Sequence, residues 1–372
     1  MRYGRMAVLV LGKLLTADIK YDNIALMRSV AIVVVILFHL NLLTWPTYVP
    51  EWLNRFVVTG FLGVDLFFFI SGFVIILPYI RGGQSPVVFI LHRATKILPS
   101  YYLYIAILLA INRDPSAISI GWLNVWTHAL FVYNWFYATS GSIDGVLWSL
   151  ATEVQFYVIA PFIAPLFVRH PIRTFAVMVL IANLWRFALI PIGYSDWQEL
   201  AQMPAYLDVF AAGMLASVIS TRRISRNSTI LLCVTGLVAV YYIIDSCYQA
   251  RLLPNWRSTW ETHWRTLLSL AFATVAVGSA KLTVWTPLKW PAAISYNLYL
   301  WHAPIAVLMI KYHFPSFTGD HLNDRVWQAW YPLCTTACSL AVSTALTYWF
   351  ERPIIHALCG SRGSGRWRSI RA

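Results

Sequence analysis

Apolar runs of roughly 20 residues recur along the whole chain. They constrain its fold more than any other feature, because that is the length of helix a bilayer core demands. Inside lipid no water is available to backbone N–H and C=O groups, so each run can only be a helix. Spans begin near Ile24, Phe56, Ile97, Leu147, Ile172, Pro204, Thr229, Thr266, Pro291 and Val326. Hydrophobic residues make up 59% of the chain and charged residues 12%, against roughly a quarter charged in a soluble domain. The mean hydropathy is +0.62. One core cannot hide so much apolar side chain, so lipid must solvate part of it. Many of the 18 Trp and 20 Tyr stand where runs end, as at Trp45, Trp122, Trp126, Trp135, Trp197, Trp256, Trp285 and Trp327. That is the aromatic belt of a membrane protein. The expected fold is therefore all-α, a polytopic integral membrane bundle of about ten transmembrane helices. Residues 1–23 are expected as a cytoplasmic or interfacial segment, 24–353 as the transmembrane domain and 354–372 as a basic cytoplasmic tail.

The net charge of +13 is a matter of location. With the N-terminus inside, most basic residues fall on the cytoplasmic side, among them Arg2, Arg5, Lys13, Lys20 and Arg28, then Arg81, Arg93 and Lys96, then Arg222, Arg223 and Arg226, and Arg362 to Arg371 at the end. Arg55, Arg113, Arg186, Arg251, Arg257, Arg265, Lys311 and Arg325 are the exceptions. This asymmetry expects both termini in the cytoplasm and the Asp196–Glu199 loop outside. No compact basic domain exists to bind nucleic acid, and none is expected as a partner.

Smaller features add little. Met6–Leu15 lacks a clear signal-peptide cleavage site and is read as an interfacial helix. Cys334 and Cys338 stand at helical spacing without a matching His or Cys pair, so buried free thiols are expected and no metal site. Arg113–Gly145 is longer and more polar than the other connections, and its aromatic run Phe131–Tyr137 is read as dipping toward the membrane surface.

The informative residues are the ionisable ones inside spans. A charge near the bilayer centre costs about 2.5–3.5 kcal/mol on insertion scales, so such groups face the bundle interior and usually serve a function. They are His39, Asp65, Glu153, Arg186, Asp208 and His302. Counting from the helix ends puts His39, Asp65 and Glu153 at comparable depth. A His beside a carboxylate can be a general base with its orienting partner, and the same residue types can make an inter-helical polar clasp. The pattern leaves both readings open. Arg28 precedes His39 by eleven residues on one helix, about 16 Å at 1.5 Å per residue. A cation at the inner mouth suits an anionic ligand, with the base a long arm away; alone it would be an ordinary positive-inside anchor. His92, Arg93 and Lys96 precede Pro99 and form a candidate phosphate site.

Four stretches together resemble the acyltransferase-3 family of membrane-bound O-acyltransferases. They are Arg28 to His39 in RSVAIVVVILFHL; GVDLFFFISGFVI, Gly63 to Ile75, with Asp65 and Ser71; WSLATEVQFY, Trp148 to Tyr157, with Ser149, Glu153 and Tyr157; and ISYNLYLWH, Ile294 to His302, supported by FERP at Phe350–Pro353. The sequence departs from the family pattern in three ways. The family's Arg-x-x-Arg is Arg93-x-x-Lys96 here, and Lys lacks the planar guanidinium fork. Val154 follows Glu153 where some members have a second acid. No hydrolase-like domain is expected to be appended.

The resemblance implies a multi-pass protein of the plasma (inner) membrane that transfers an acyl group, most simply acetyl, from acyl-CoA to a hydroxyl of a glycan or lipid-linked saccharide. It implies acyl-CoA as donor substrate with no permanently bound cofactor, and membrane lipid as surroundings. Arg28, Arg93 and Lys96 would bind the donor. His39 would be the base and Glu153 its orienting partner, with Asp65 as a third catalytic group. Tyr157, Tyr296, Tyr299 and His302 would line the acceptor side or donate to the oxyanion. A transporter or flippase that relays protons through the same buried groups is the rival class, but it predicts paired repeats, and the sequence shows none. A polysaccharide polymerase would need larger outer loops carrying catalytic cations, for which Arg251, Arg257 and Arg265 give no clear motif.

Overall fold

The computed structural model describes residues 21–44, 50–111, 121–189, 201–251, 253, 256–317 and 319–360. The Met6–Leu15 segment, the Asp196–Glu199 loop and the tail beyond Gly360 lie outside these residues. The described chain is helical throughout its regular structure. Its main helices are α1 (Asp22–Thr44), α2 (Gly63–Ile75), α3 (Pro86–Ile111), α4 (Trp148–Arg169), α5 (Pro171–Leu189), α6 (Leu207–Ser220), α7 (Arg226–Ala250), α8 (Trp256–Gly278), α9 (Thr286–Lys311), α10 (Arg325–Ala345) and α11 (Arg352–Gly360). Among the described residues nine helical segments are long and apolar enough to cross a membrane, and one shorter apolar helix, Trp264–Gly278, is the C-terminal part of α8. The protein is thus a multi-pass membrane helix bundle. The last two helices are joined without a break by a π-helical turn, Leu346–Glu351, so regular structure continues past the boundary expected at residue 353.

Lipid and core divide the helices. In the most apolar stretch of the span containing α2, 78% of the residues are buried within the protein, and 67% in that containing α6, against 17% for α7. On α7 the side chains of Ile230, Leu231, Val234 and Leu237 are exposed, where only lipid can cover them. Helix α6 packs on α2, α5 and α8, while α1 packs on α2 and α9. At the α2–α6 crossing the backbones touch. A Cβ added at Gly72 would lie 2.1 Å from the Phe210 carbonyl oxygen, and one at Gly213 would lie 1.9 Å from the Phe69 carbonyl oxygen. Small residues let helices approach this closely where no hydrophobic effect drives them together.

Two buried ion pairs lock this half of the bundle. Arg186 of α5 donates to Asp208 of α6 at 2.7 Å, with both side chains 0% exposed. The same arginine reaches the Ala205 carbonyl at 2.7 Å, and Thr266 of α8 donates to Asp208 at 2.6 Å. Arg265 of α8 donates to Asp65 of α2 at 2.8 Å and lies over the Tyr206 ring at 4.3 Å. Arg265 therefore belongs to the interior, not to an outer loop as charge counting placed it. The thiols of Cys334 and Cys338 are free, but Cys334 is only half-buried and Cys338 is exposed, which corrects the expectation that both are buried.

Candidate functional site

Helices α1, α2, α3, α4 and α9 surround a cavity of about 80 Å³. Helical spacing delivers its polar lining. Ser149, Glu153 and Tyr157 stand at successive four-residue steps on α4, so they share one face. Ser295, Tyr296, Tyr299 and His302 form a stripe on α9. Eleven residues are close to three full turns, so Arg28 and His39 also share a face of α1. Arg28, Arg93, Lys96, Ser71, Ser149, Glu153, Tyr157, Ser295, Tyr296 and Tyr299 all line the cavity.

One end is cationic. The Arg28 Nε donates to Ser295 Oγ at 2.7 Å. The Arg93 guanidinium lies 5.3 Å from the Tyr157 ring centre and 5.5 Å from that of Phe89. Among the described residues neither arginine forms an ion pair. Lys96 and Arg28 lie in the field of Glu351, which the π-helical turn brings to Asn297 Nδ2 at 2.6 Å. Turns of this wide type recur at functional sites.

The middle is a row of hydroxyls. Ser71 and Tyr157 both donate to Oε1 of Glu153. The Tyr299 hydroxyl donates to the Val146 carbonyl at 2.9 Å. That uses its single proton, so Ser149, 2.6 Å away, donates to it. Tyr296 donates to the Ile97 carbonyl at 2.9 Å. Both tyrosine protons are thus engaged by backbone carbonyls and are not aimed at a substrate oxyanion in this arrangement. Next to Val146, desolvation pushes the Asp144 carboxyl up from its ordinary value, and hydrogen bonds from Tyr104 and the Val146 N–H pull it back.

Beyond Tyr299 stand two histidines. His39 Nδ1 lies 3.2 Å from His302 Nε2 and 2.9 Å from the Val35 carbonyl oxygen. The rings meet edge to face at 4.9 Å. His302 is 2% exposed, whereas His39 is only half-buried.

Seven residues expected at the site from sequence (Arg28, Arg93, Lys96, Glu153, Tyr157, Tyr296 and Tyr299) therefore share one cavity, and His39 and His302 pair just past it. Two expectations change. Glu153 and His39 do not hydrogen-bond to each other among the described residues: Glu153 is held by Ser71 and Tyr157, and His39 by His302 and Val35. Asp65 does not line the cavity; its carboxylate is turned to Arg265 on α8. The structure adds Ser71, Ser149, Ser295 and Glu351, which sequence reasoning passed over as site residues. The three serines lie inside the motif stretches, but a hydroxyl carries no burial penalty large enough to announce itself. Glu351 lies within FERP at the end of an apolar run, where an acid reads as a helix boundary.

A membrane helix bundle with a cavity that is cationic at one end, and with paired histidines just past it, suits transfer of a group from an anionic carrier. Comparison gives the family. The chain belongs to the acyltransferase-3 family: the family model described as "Acyltransferase domain" matches residues 21–352. It is similar to the peptidoglycan O-acetyltransferase OatA of Listeria monocytogenes, 25% identical over 316 residues covering 76% of this chain and 49% of that protein. It is similar to O-acetyltransferase OatA of Staphylococcus aureus, at 24% over 317 residues, 77% of this chain and 51% of that protein. It is also similar to the putative peptidoglycan O-acetyltransferase YrhL of Bacillus subtilis, at 26% over 319 residues, 76% and 48%. The chain spans about half the length of these curated relatives. No solved structure matches it.

Proposed function

We propose that this protein moves an acyl group, acetyl in the simplest case, from acyl-CoA to a hydroxyl of a cell-wall glycan or lipid-linked saccharide. The observation that carries this reading is the polar cavity between α1, α2, α3, α4 and α9. Arg28 lies about 16 Å along α1 from His39, and Arg93 of α3 lines the same cavity; that separation suits a carrier with a phosphorylated head and a long thin arm. The named relatives support acetyl as the group and peptidoglycan-type sugar as the acceptor.

In this reading Arg28, Arg93 and Lys96 hold the phosphates of the donor. They do so on the cytoplasmic side, consistent with the asymmetry of basic residues and with both termini inside. The arm runs past Glu153, whose Oε1 is occupied by Ser71 and Tyr157 while Oε2 is left for a polar group in the cavity. His39 removes the acceptor's proton as its oxygen attacks the thioester carbonyl. The C–O bond forms, the C–S bond breaks, and the CoA sulfur leaves with the proton returned by His39. Tyr299 and Ser149 fix the wall beside that step.

The test is CoA release by monodisperse, detergent-purified protein supplied with acetyl-CoA, with and without peptidoglycan fragments or lipid-linked saccharide. Acceptor-dependent release supports the reading. Release that no saccharide stimulates, together with saccharide transport in proteoliposomes, would replace it with the transporter class.

A further inference from the structure

The hydrogen-bonding partners of the two histidines fix where their protons sit. His302 Nδ1 meets two backbone carbonyl oxygens, that of Leu298 at 3.1 Å and that of Tyr299 at 2.7 Å. A carbonyl oxygen only accepts, so Nδ1 carries the proton, and Nε2 of the neutral ring is bare. That bare nitrogen faces His39 Nδ1, whose other neighbour is the Val35 carbonyl oxygen. Both neighbours of His39 Nδ1 are acceptors. Its proton therefore resides on Nδ1, and Nε2 is the nitrogen with the open lone pair. A doubly protonated His302 would instead aim a donor at His39 Nδ1, which could then offer no proton to Val35. The geometry favours the neutral pair.

We propose that His302, not Glu153, is the positioning partner of His39: it accepts the Nδ1–H of His39, holds the ring so that Nε2 meets the acceptor hydroxyl, and shares the charge of the imidazolium. The inference rests on His39 being the base. When the acceptor's O–H proton moves to Nε2, His39 carries two N–H groups. The Nδ1–H remains donated to His302 Nε2, and the charge that reaches the second ring is met by the Leu298 and Tyr299 carbonyls through its own Nδ1–H. The Nε2 proton then passes to the departing thiolate. The base returns to its starting form with no net change in the pair. The exposures agree with this division of roles. His39 is half-buried and reachable. His302, at 2% exposure, does not present a surface to a sugar, so it acts through His39 and not on the acceptor directly. The second ring does here the work that a carboxylate does in a hydrolase triad, which holds the tautomer and stabilises the imidazolium.

The full chain in nanodiscs, labelled with ¹⁵N-histidine and assigned with His39→Gln, reports the tautomer directly. The expected result is a protonated Nδ1 and a bare Nε2 on His39; a protonated Nε2 overturns the proposal. In the CoA-release assay, His302→Leu should lower kcat at least tenfold with the donor KM unchanged. His302→Gln, which returns an accepting oxygen near the position of Nε2, should recover part of that loss. A fall of less than tenfold in folded His302→Leu overturns the proposal, as does a defect confined to the acceptor KM. Should His302→Leu not yield monodisperse protein, the wild-type tautomer decides. An active His39→Ala would overturn the base itself, whereas an inert His39→Ala beside a fully active His302→Leu would remove only the partner assigned here.

Discussion

The two halves of the bundle hold similar side chains and treat them in opposite ways. Around α5, α6 and α8, Arg186 and Arg265 each close on one carboxylate, Asp208 and Asp65, with no appreciable exposure. Around the cavity, Arg28 and Arg93 meet a serine and two aromatic rings, and among the described residues no carboxylate within ion-pair distance. Burying a cation is expensive unless it is paired. A closed pair returns that energy to the fold. An open cation keeps its attraction for a ligand that brings the missing negative charge. The difference sorts the charges by pairing and not by residue type, and it sets Asp65, paired with Arg265, apart from the cavity although it lies in a family motif.

Six substitutions can break or sharpen that division. The largest effect is expected at His39→Ala, which should lower turnover about 10²–10⁴-fold, or about 3–5 kcal/mol of barrier. The protein should elute as the same monodisperse species. CoA release per mole of folded protein is the measurement, and more than a tenth of wild-type turnover removes His39 from the role of base. Next is Arg186→Leu, which leaves Asp208 buried without its cation and should cost about 3–5 kcal/mol of stability. A thermal melt in detergent checks it; an unchanged melting temperature would mean that the pair is not a clasp. Asp65→Asn keeps a hydrogen-bond acceptor for Arg265 and loses the charge, so a loss of about 1.5–3 kcal/mol of stability is expected, with turnover per folded molecule kept. The reverse pattern, intact stability with lost turnover, would return Asp65 to the site. The smallest effect belongs to the donor cations. Arg28→Ala and Arg93→Ala should each raise the acyl-CoA KM about tenfold, near 1.4 kcal/mol, with kcat little changed because the contact exists before the transition state. Lys96→Arg should be neutral or improve donor binding, and a fall in affinity there would show that the fork geometry of arginine does not fit the phosphate.

Helix periodicity made much of this legible from the sequence. Eleven residues between Arg28 and His39 specify one face and one distance on any helix, and the four-residue steps from Ser149 to Tyr157 do the same. What spacing does not encode is which helices are neighbours. Glu153 and His39 have the right depth to meet, yet the bundle sets α9 beside α1 and gives His39 a histidine. The polar start of α8 lowered its hydropathy, so Arg265 read as a loop cation, although its helix carries it inward to Asp65. Glu351 was hidden by its position at the end of an apolar stretch, since a π-helical turn has no clear signature in the sequence.

The glycine crossing of α2 and α6 has a mechanical consequence. With backbone against backbone at Gly72 and Gly213, the two helices have no cushion of side chains through which to slide. Ser71, one residue from that contact, is therefore set at a fixed height opposite Glu153, as a part is set against a machined stop. Larger motions around the cavity then fall to the other helices that line it, α1, α3, α4 and α9, hinging around a seat that does not yield.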